Sequence, residues 1–176
     1  MERDLRSPMA KQSDLRPVDK VLNEFSKTHQ NPINRNLQWV CIPLISFGLV
    51  GLIWALPFPY LVFLGKYNGF VNWASFLIAF SIFYYYKLSP VLSYGTLLMV
   101  FAISAGIVSL EKIQGSDGTP ILPQVCLGLL IAGLIVQFIG SRLEAKSFTI
   151  AQNFRFLLDG PFWLVFNLLK KTGIRY

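Results

Sequence analysis

The chain has 176 residues, of which 53% are hydrophobic and only 14% charged, and it carries a net charge of +7. That is more apolar and less charged than an ordinary soluble domain. The basic residues flank apolar segments, so attraction to anionic lipid headgroups accounts for the charge, and nucleic-acid binding has no support.

Residues 1–16 read as a mobile N-terminal arm, and residues 17–176 as a single membrane domain. The 37 residues before the first apolar run are too polar for a cleavable secretory signal. From Pro17 to Thr28, Val18, Val21, Leu22 and Phe25 recur at helical spacing. This predicts an amphipathic helix lying along the membrane surface. Asn31-Pro32, with Asn34, then breaks the chain before the membrane, because a residue preceding proline is pushed out of the α region.

Four apolar runs follow, over residues 39–64, 71–86, 88–110 and 121–140. Lipid offers no partner to backbone polar groups, and continuous rather than alternating apolarity selects helices over a barrel. The expectation is therefore an all-α membrane protein with four transmembrane helices. The first is taken to run through Pro57 and Pro59 to Leu64. Turns are predicted at Gly65–Gly69 and, most clearly, across Gly115-Ser116-Asp117-Gly118-Thr119-Pro120. Trp39, Trp54, Trp73 and Tyr84–Tyr86 fall near predicted span ends, as interfacial aromatics do.

Seven of the sixteen Lys and Arg precede the first run and six follow Gly140, whereas the loops hold only Lys66, Lys87 and Lys112. By the positive-inside rule both termini are cytoplasmic, in a bacterial inner membrane or the endoplasmic reticulum. After Gly140, residues 147–171 are amphipathic but interrupted at Gly160-Pro161. This predicts two interfacial or half-inserted helices, which could fold under the bundle and close a cytoplasmic-side pocket.

No acid or base lies inside a predicted span, which argues against a transporter or proton relay. Asn72, Gln124 and Gln137 are the polar exceptions, suited to interhelical hydrogen bonds. Ala102, Ala105, Gly106 and Ser109, with Gly128, Ala132 and Gly133, permit close helix packing. Cys41 and Cys126 are expected near opposite faces of the membrane, too far apart to pair, and buried as small apolar side chains. Phosphate loops, zinc-type cysteine pairs and the Gly-x-Ser-x-Gly elbow are absent, and one histidine is too few for a histidine-box lipid enzyme.

Two stretches carry a resemblance. One is Ser26 to Asn34 leading into Leu37-Gln38-Trp39-Val40-Cys41-Ile42-Pro43. The other is Gln137-Phe138-Ile139-Gly140-Ser141 together with Gly160-Pro161-Phe162-Trp163. From about Asp19 to the C-terminus the chain resembles the membrane-embedded 2-hydroxy-fatty-acid dioxygenases of fatty-acid α-oxidation, whose fungal member acts in phytosphingosine breakdown. The resemblance implies a small membrane bundle and iron(II)-dependent cleavage of a 2-hydroxy acyl chain with dioxygen, giving an acid one carbon shorter.

It also implies a set of metal histidines, and here the chain departs from the pattern. His29 matches the first, but the second falls on Gln38, the third on Ser141 and the tail histidine on Phe166. Iron of this type needs several histidine or carboxylate ligands facing one point. The leading expectation is a non-catalytic relative, with no cofactor, that binds membrane lipid, including a 2-hydroxy or other long-chain fatty acid, near His29, Asn31, Asn34, Gln38, Gln137 and Ser141. One alternative is an active dioxygenase whose Fe(II) site is rebuilt from His29, Glu144 and Asp159. Another is a structural membrane scaffold whose pocket is filled by side chains. For His29 by itself, a capping or hydrogen-bonding role at the end of the arm helix is the favoured reading.

Overall fold

The computed structural model describes residues 15–113, 120–144 and 150–173. The N-terminal arm up to residue 14, the Gly115–Thr119 turn signal and the start of the tail at 145–149 lie outside the described residues. Among the described residues every regular element is helical.

Helix α1 spans Pro17–Thr28, with proline in its first turn, Asp19 near its positive end and Lys27 near its negative end. Arg16 pairs with Asp19 at 2.8 Å. Val18, Val21, Leu22 and Phe25 are all buried. They meet α6 (Ile150–Lys171), so the apolar face predicted to rest on lipid is covered by protein instead.

Helix α2, Pro32–Trp54, begins seven residues before the predicted span and ends ten before its predicted limit. Asn31 caps it, its side chain accepting from the Ile33 N–H at 2.9 Å, and Pro32 occupies the first turn. Asn34 therefore lies inside the helix rather than in the break before it. Pro57 and Pro59 cannot continue the far end, and the chain turns into a 3-10 segment, Val62–Phe70, bent at Gly65, whose φ of 49° suits glycine. Asn68 holds this loop, exchanging hydrogen bonds with both backbone groups of Leu61 at 2.8 Å.

Helix α3, Trp73–Leu88, starts at a capping box in which Asn72 and Ser75 each satisfy the other's backbone N–H. It is joined to α4, Pro90–Glu111, by Ser89 alone. Helix α5 is Leu122–Arg142. Among the described residues, α2, α4 and α5 are the helices long and apolar enough to cross a bilayer, so three such helices replace the four expected. The 16 residues of α3 reach about 24 Å at 1.5 Å each, short of a hydrocarbon core of about 30 Å. The outward faces of α4 and α5 expose Leu98, Phe101, Leu134, Ile135 and Phe138, the arrangement of side chains solvated by lipid. The chain is a membrane protein whose described residues form an all-helical fold.

The closest packing joins α2 to α5, which run antiparallel. Gly48 lies on the backbone of Cys126 and Leu130, Gly133 on Leu44 and Ile45, and Gly140 on Asn34. Of the small residues marked in the sequence, Gly133 and Gly106 make such contacts, Gly106 against Phe47. Ala102, Ala105, Ser109 and Ala132 are exposed, and Gly128 faces open space. Both cysteines are free and buried.

Helix α6 corrects a second expectation: the tail forms one helix through Gly160-Pro161, not two. Pro161 supplies no N–H to the Leu157 carbonyl, which by itself favours a break. Neighbouring helices hold the turn instead. The Tyr85 hydroxyl donates to the next carbonyl, that of Leu158, at 2.6 Å, and the Tyr85 ring stacks on Phe162 with centroids 5.4 Å apart. Gly160 lets the helix approach Ile42, and Val165 meets Gly95. Replacing Tyr85 with phenylalanine keeps the stack and removes the hydrogen bond, so a loss of about 1 kcal/mol is expected. Thermal unfolding in detergent measures it, and an unchanged midpoint would mean that α6 is held by packing alone.

Candidate functional site

The start of α2 and the end of α5 lie at one end of the bundle, and the polar residues there form a connected chain. Asn34, Gln38 and Cys41 share one face of α2, because spacings of four and three place side chains in a row. Gln137, Gly140 and Glu144 repeat the spacing at the end of α5 and just beyond it. The two rows meet. Asn34 donates through Nδ2 to Glu144 Oε1 at 2.8 Å, and its Oδ1 accepts from Gln38 Nε2 at 3.0 Å. The Cys41 thiol lies 3.1 Å from Gln38 Oε1 and 3.3 Å from Gln137 Oε1, and its single proton serves one of them at a time.

Asn34 and Gln38 are 0% exposed, so these bonds satisfy groups that water does not reach. Gly140 makes the arrangement fit, since any side chain there would occupy the space of the Asn34 amide. Glu144 Oε1 also accepts the Asn31 N–H at 3.1 Å, while Asn31 Nδ2 donates to the Leu143 carbonyl at 3.2 Å. A carboxylate set against the first N–H groups of α2 is stabilised by the positive end of that helix. The cluster thus ties α5 to the start of α2.

His29 sits beside this cluster, at the C-terminal cap of α1. It is buried, and its Nδ1 lies 3.0 Å from the Phe25 carbonyl, a contact that makes Nδ1 the donor. In the neutral ring the lone pair is then on Nε2. The imidazole stacks on Phe25 at 4.3 Å, and Phe25 stacks in turn on Trp163 at 4.8 Å. Burial holds His29 below its ordinary value of 6.5, opposed by the Phe25 carbonyl and the negative charge of Glu144. The consequence for stability has a definite sign. An unfolded chain takes up the proton at higher pH than the folded one, so this contribution is present above about 6.5 and is lost as pH falls further. Acidification from pH 7 to 5 is expected to lower the unfolding temperature less in a His29→Phe variant, which keeps the stack, than in the wild type. Equal slopes would remove His29 as the cause.

The structure brings together Asn31, Asn34, Gln38 and Gln137 from the sequence-derived binding set with Glu144 from the alternative metal set, and it adds Cys41. Cys41 was read only as an apolar-like side chain. The matched spacings on α2 and α5 are the signal that could have found it. Ser141 stays outside the cluster: its hydroxyl donates to the Phe138 carbonyl of its own helix at 2.8 Å. Phe166 is half-buried against the core. Asp159 is buried on α6.

Ferrous iron needs three or more imidazole or carboxylate donors facing one point, and these residues do not fit it. The Gln38 amide bonds with Asn34 and Cys41, the Ser141 hydroxyl is turned onto its own helix, and Phe166 has no donor atom. Among the described residues, no group of three or more His, Cys, Asp and Glu side chains could hold a metal ion, and His29, Glu144 and Asp159 do not form one.

Comparison with curated proteins and with solved structures returns no match. A family model, Mpo1-like, described as 2-hydroxy-palmitic acid dioxygenase Mpo1-like, matches residues 15–172. That match takes in the six α-helices of the described residues, the polar cluster and His29, and the chain belongs to the Mpo1-like family.

Proposed function

We propose that this protein is a multi-pass membrane member of the Mpo1-like family that binds a long-chain fatty acyl lipid without oxidising it. The family description names a dioxygenase of 2-hydroxy-palmitic acid, which supports an amphiphile with a long alkyl chain as the ligand. One observation carries the loss of chemistry. Gln38 stands where the resemblance calls for a metal histidine, and its amide is locked between Asn34 and Cys41 in a fully buried hydrogen-bonded chain. The Gln38 amide is thus engaged on its own helix, between Asn34 and Cys41, the two residues whose side chains bond across to Glu144 and Gln137.

Both ends of the bundle domain are cytoplasmic in this reading. The basic residues Arg35, Arg142, Lys170 and Lys171 gather at the end where α2 starts and α5 stops, which supports that orientation. A bacterial inner membrane and the endoplasmic reticulum fit equally.

A second reading, a structural scaffold that holds no lipid, is favoured by the aromatic filling between α1, α2 and α6. There Trp163 lies between Phe25 and Trp39, with centroids 4.8 and 6.3 Å away. One preparation separates the readings: gentle detergent extraction under anaerobic conditions, followed by elemental analysis, lipid mass spectrometry and an assay of 2-hydroxypalmitate shortening. Co-purified acyl lipid with negligible iron and no shortened acid supports the proposal. Protein free of lipid points to the scaffold. Stoichiometric iron with oxygen-dependent shortening would overturn the proposal and return an active enzyme with a rebuilt centre.

A further inference from the structure

At the end of the bundle opposite the polar cluster, about 30 Å away along α2 at 1.5 Å per residue, the helices enclose an open-mouthed cavity of about 340 Å³. Trp54 and Phe58 come from the end of α2 and the chain after it, Asn68 and Asn72 from the approach to α3, Glu111 from the last turn of α4, and Pro123 from the first turn of α5. We propose that this cavity binds the ammonium headgroup of a membrane amphiphile, with Glu111 as its counter-charge and the aromatic walls as its lining. The inference is independent of the acyl-lipid reading, which concerns the other end of the molecule.

The polar inventory of the wall points to a cation. Asn68 has its amide oxygen on the Leu61 N–H and its amide nitrogen on the Leu61 and Gly65 carbonyls. The Asn72 oxygen caps α3 at Ser75. Glu111 is exposed, and among the described residues no cation lies within ion-pair distance of it. Its placement also runs against the helix: a carboxylate in the last turn faces the carbonyl-rich, negative end of α4. Lys112, the exposed C-cap residue that follows, offsets part of the helix-end potential, and Glu111 is left as the carboxylate on the cavity wall that a positive group can meet.

The surroundings select the kind of cation. The cavity lies where three membrane-crossing helices end, the level at which hydrocarbon gives way to headgroups, and it is lined by Trp54 and by Phe58, which packs edge-on against Trp73. Trp54 and Phe58 offer aromatic surface of the sort that attracts alkylated ammonium groups. The volume lies within the range of ordinary ligand pockets, ample for a choline or ethanolamine group, while the alkyl chain of the same molecule stays in the bilayer. An anionic headgroup would meet the Glu111 charge and be repelled.

The test uses full-length protein in maltoside and native mass spectrometry with three probes: a short-chain phosphatidylcholine, dodecyltrimethylammonium, and a phosphatidylglycerol of matched chain length. Wild type is expected to bind the first two about tenfold more tightly than the third, in line with an ion pair assisted by aromatic contact. Glu111→Gln should lose that preference, and Glu24→Gln, an exposed acid at the other end, should keep it. A comparable unfolding midpoint confirms that Glu111→Gln is folded. Binding of both ammonium probes shows that the ammonium suffices; binding of phosphatidylcholine alone shows that the phosphate contributes, and both outcomes support the site. Equal binding of phosphatidylglycerol, or a Glu111→Gln variant that discriminates as wild type does, would overturn it.

Discussion

Leucine in place of Gly48 is expected to part α2 from α5 and cost about 3 kcal/mol or more, toward the severe end of what overpacking produces. A Cβ at this position would lie 2.7 Å from the Cys126 carbonyl oxygen and 2.7 Å from the Leu130 backbone nitrogen. Backbone atoms inside a helix have no rotamer in which to escape, so the helices themselves must separate. In lipid that separation is costly for a specific reason. Association of apolar helices there depends on close van der Waals packing rather than on exclusion of water. Gly128→Leu supplies the control, because a Cβ there meets nothing within 4 Å. The same change in helix propensity is expected to shift stability by no more than about 0.5 kcal/mol at such an open position. The comparison is read by thermal unfolding and size-exclusion profile in one detergent, and similar behaviour of the two variants would refute the α2–α5 packing described here.

The second large effect is expected at Asn34. Alanine there removes the donor that Glu144 Oε1 receives at 2.8 Å and the acceptor that Gln38 Nε2 uses at 3.0 Å; Asn34 and Gln38 are closed to water and Glu144 is half-buried. One of these bonds is charge-assisted, and the buried Gln38 Nε2 is left without its acceptor while Glu144 keeps the Asn31 N–H, so a cost of about 2–3 kcal/mol is expected. A double-mutant cycle with Glu144→Ala assigns it. If the pair works as the structure shows, the coupling is about 1–2 kcal/mol. Additive losses would mean that Asn34 matters only through its bond to Gln38 and its contact with Gly140. The same cluster bears on evolution of the site: exchanging Gln38 for histidine would restore one imidazole but break two buried hydrogen bonds. Single reversions toward the family pattern therefore destabilise before they can recover a metal.

Particular elements show why some of this was legible in the sequence. Helix α1 occupies the residues that its apolar spacing marks, Pro17–Thr28, because local periodicity, a first-turn proline and the Asn31-Pro32 stop agree. The start of α2 was misplaced by seven residues because Asn34 and Gln38 look like water-facing residues. The groups they meet across the bundle, Glu144 on Asn34 and Gln137 on the Cys41 that Gln38 bonds, are about a hundred positions away in the chain. The far end was overrun because mean apolarity does not register that Pro57 and Pro59 have no N–H to give. For α3, composition suggested a span, but Asn72 at one end and Ser89-Pro90 at the other cap a helix of 16 residues.

By itself the sequence determined that the chain enters a membrane, where its helices lie to within a few residues, and that the family's set of imidazoles is incomplete. Those properties follow from local composition and spacing, which one stretch of chain carries without help. Only the tertiary structure decided that α6 continues through Pro161, that the face of α1 meets protein, and that Glu144, through Asn34, and Gln137, through Cys41, link α5 to α2. Each of these depends on a group supplied from elsewhere in the fold, such as the Tyr85 hydroxyl, the Trp163 ring or the Asn34 amide. A hydrogen bond or a close contact has its energy only when both partners are in place.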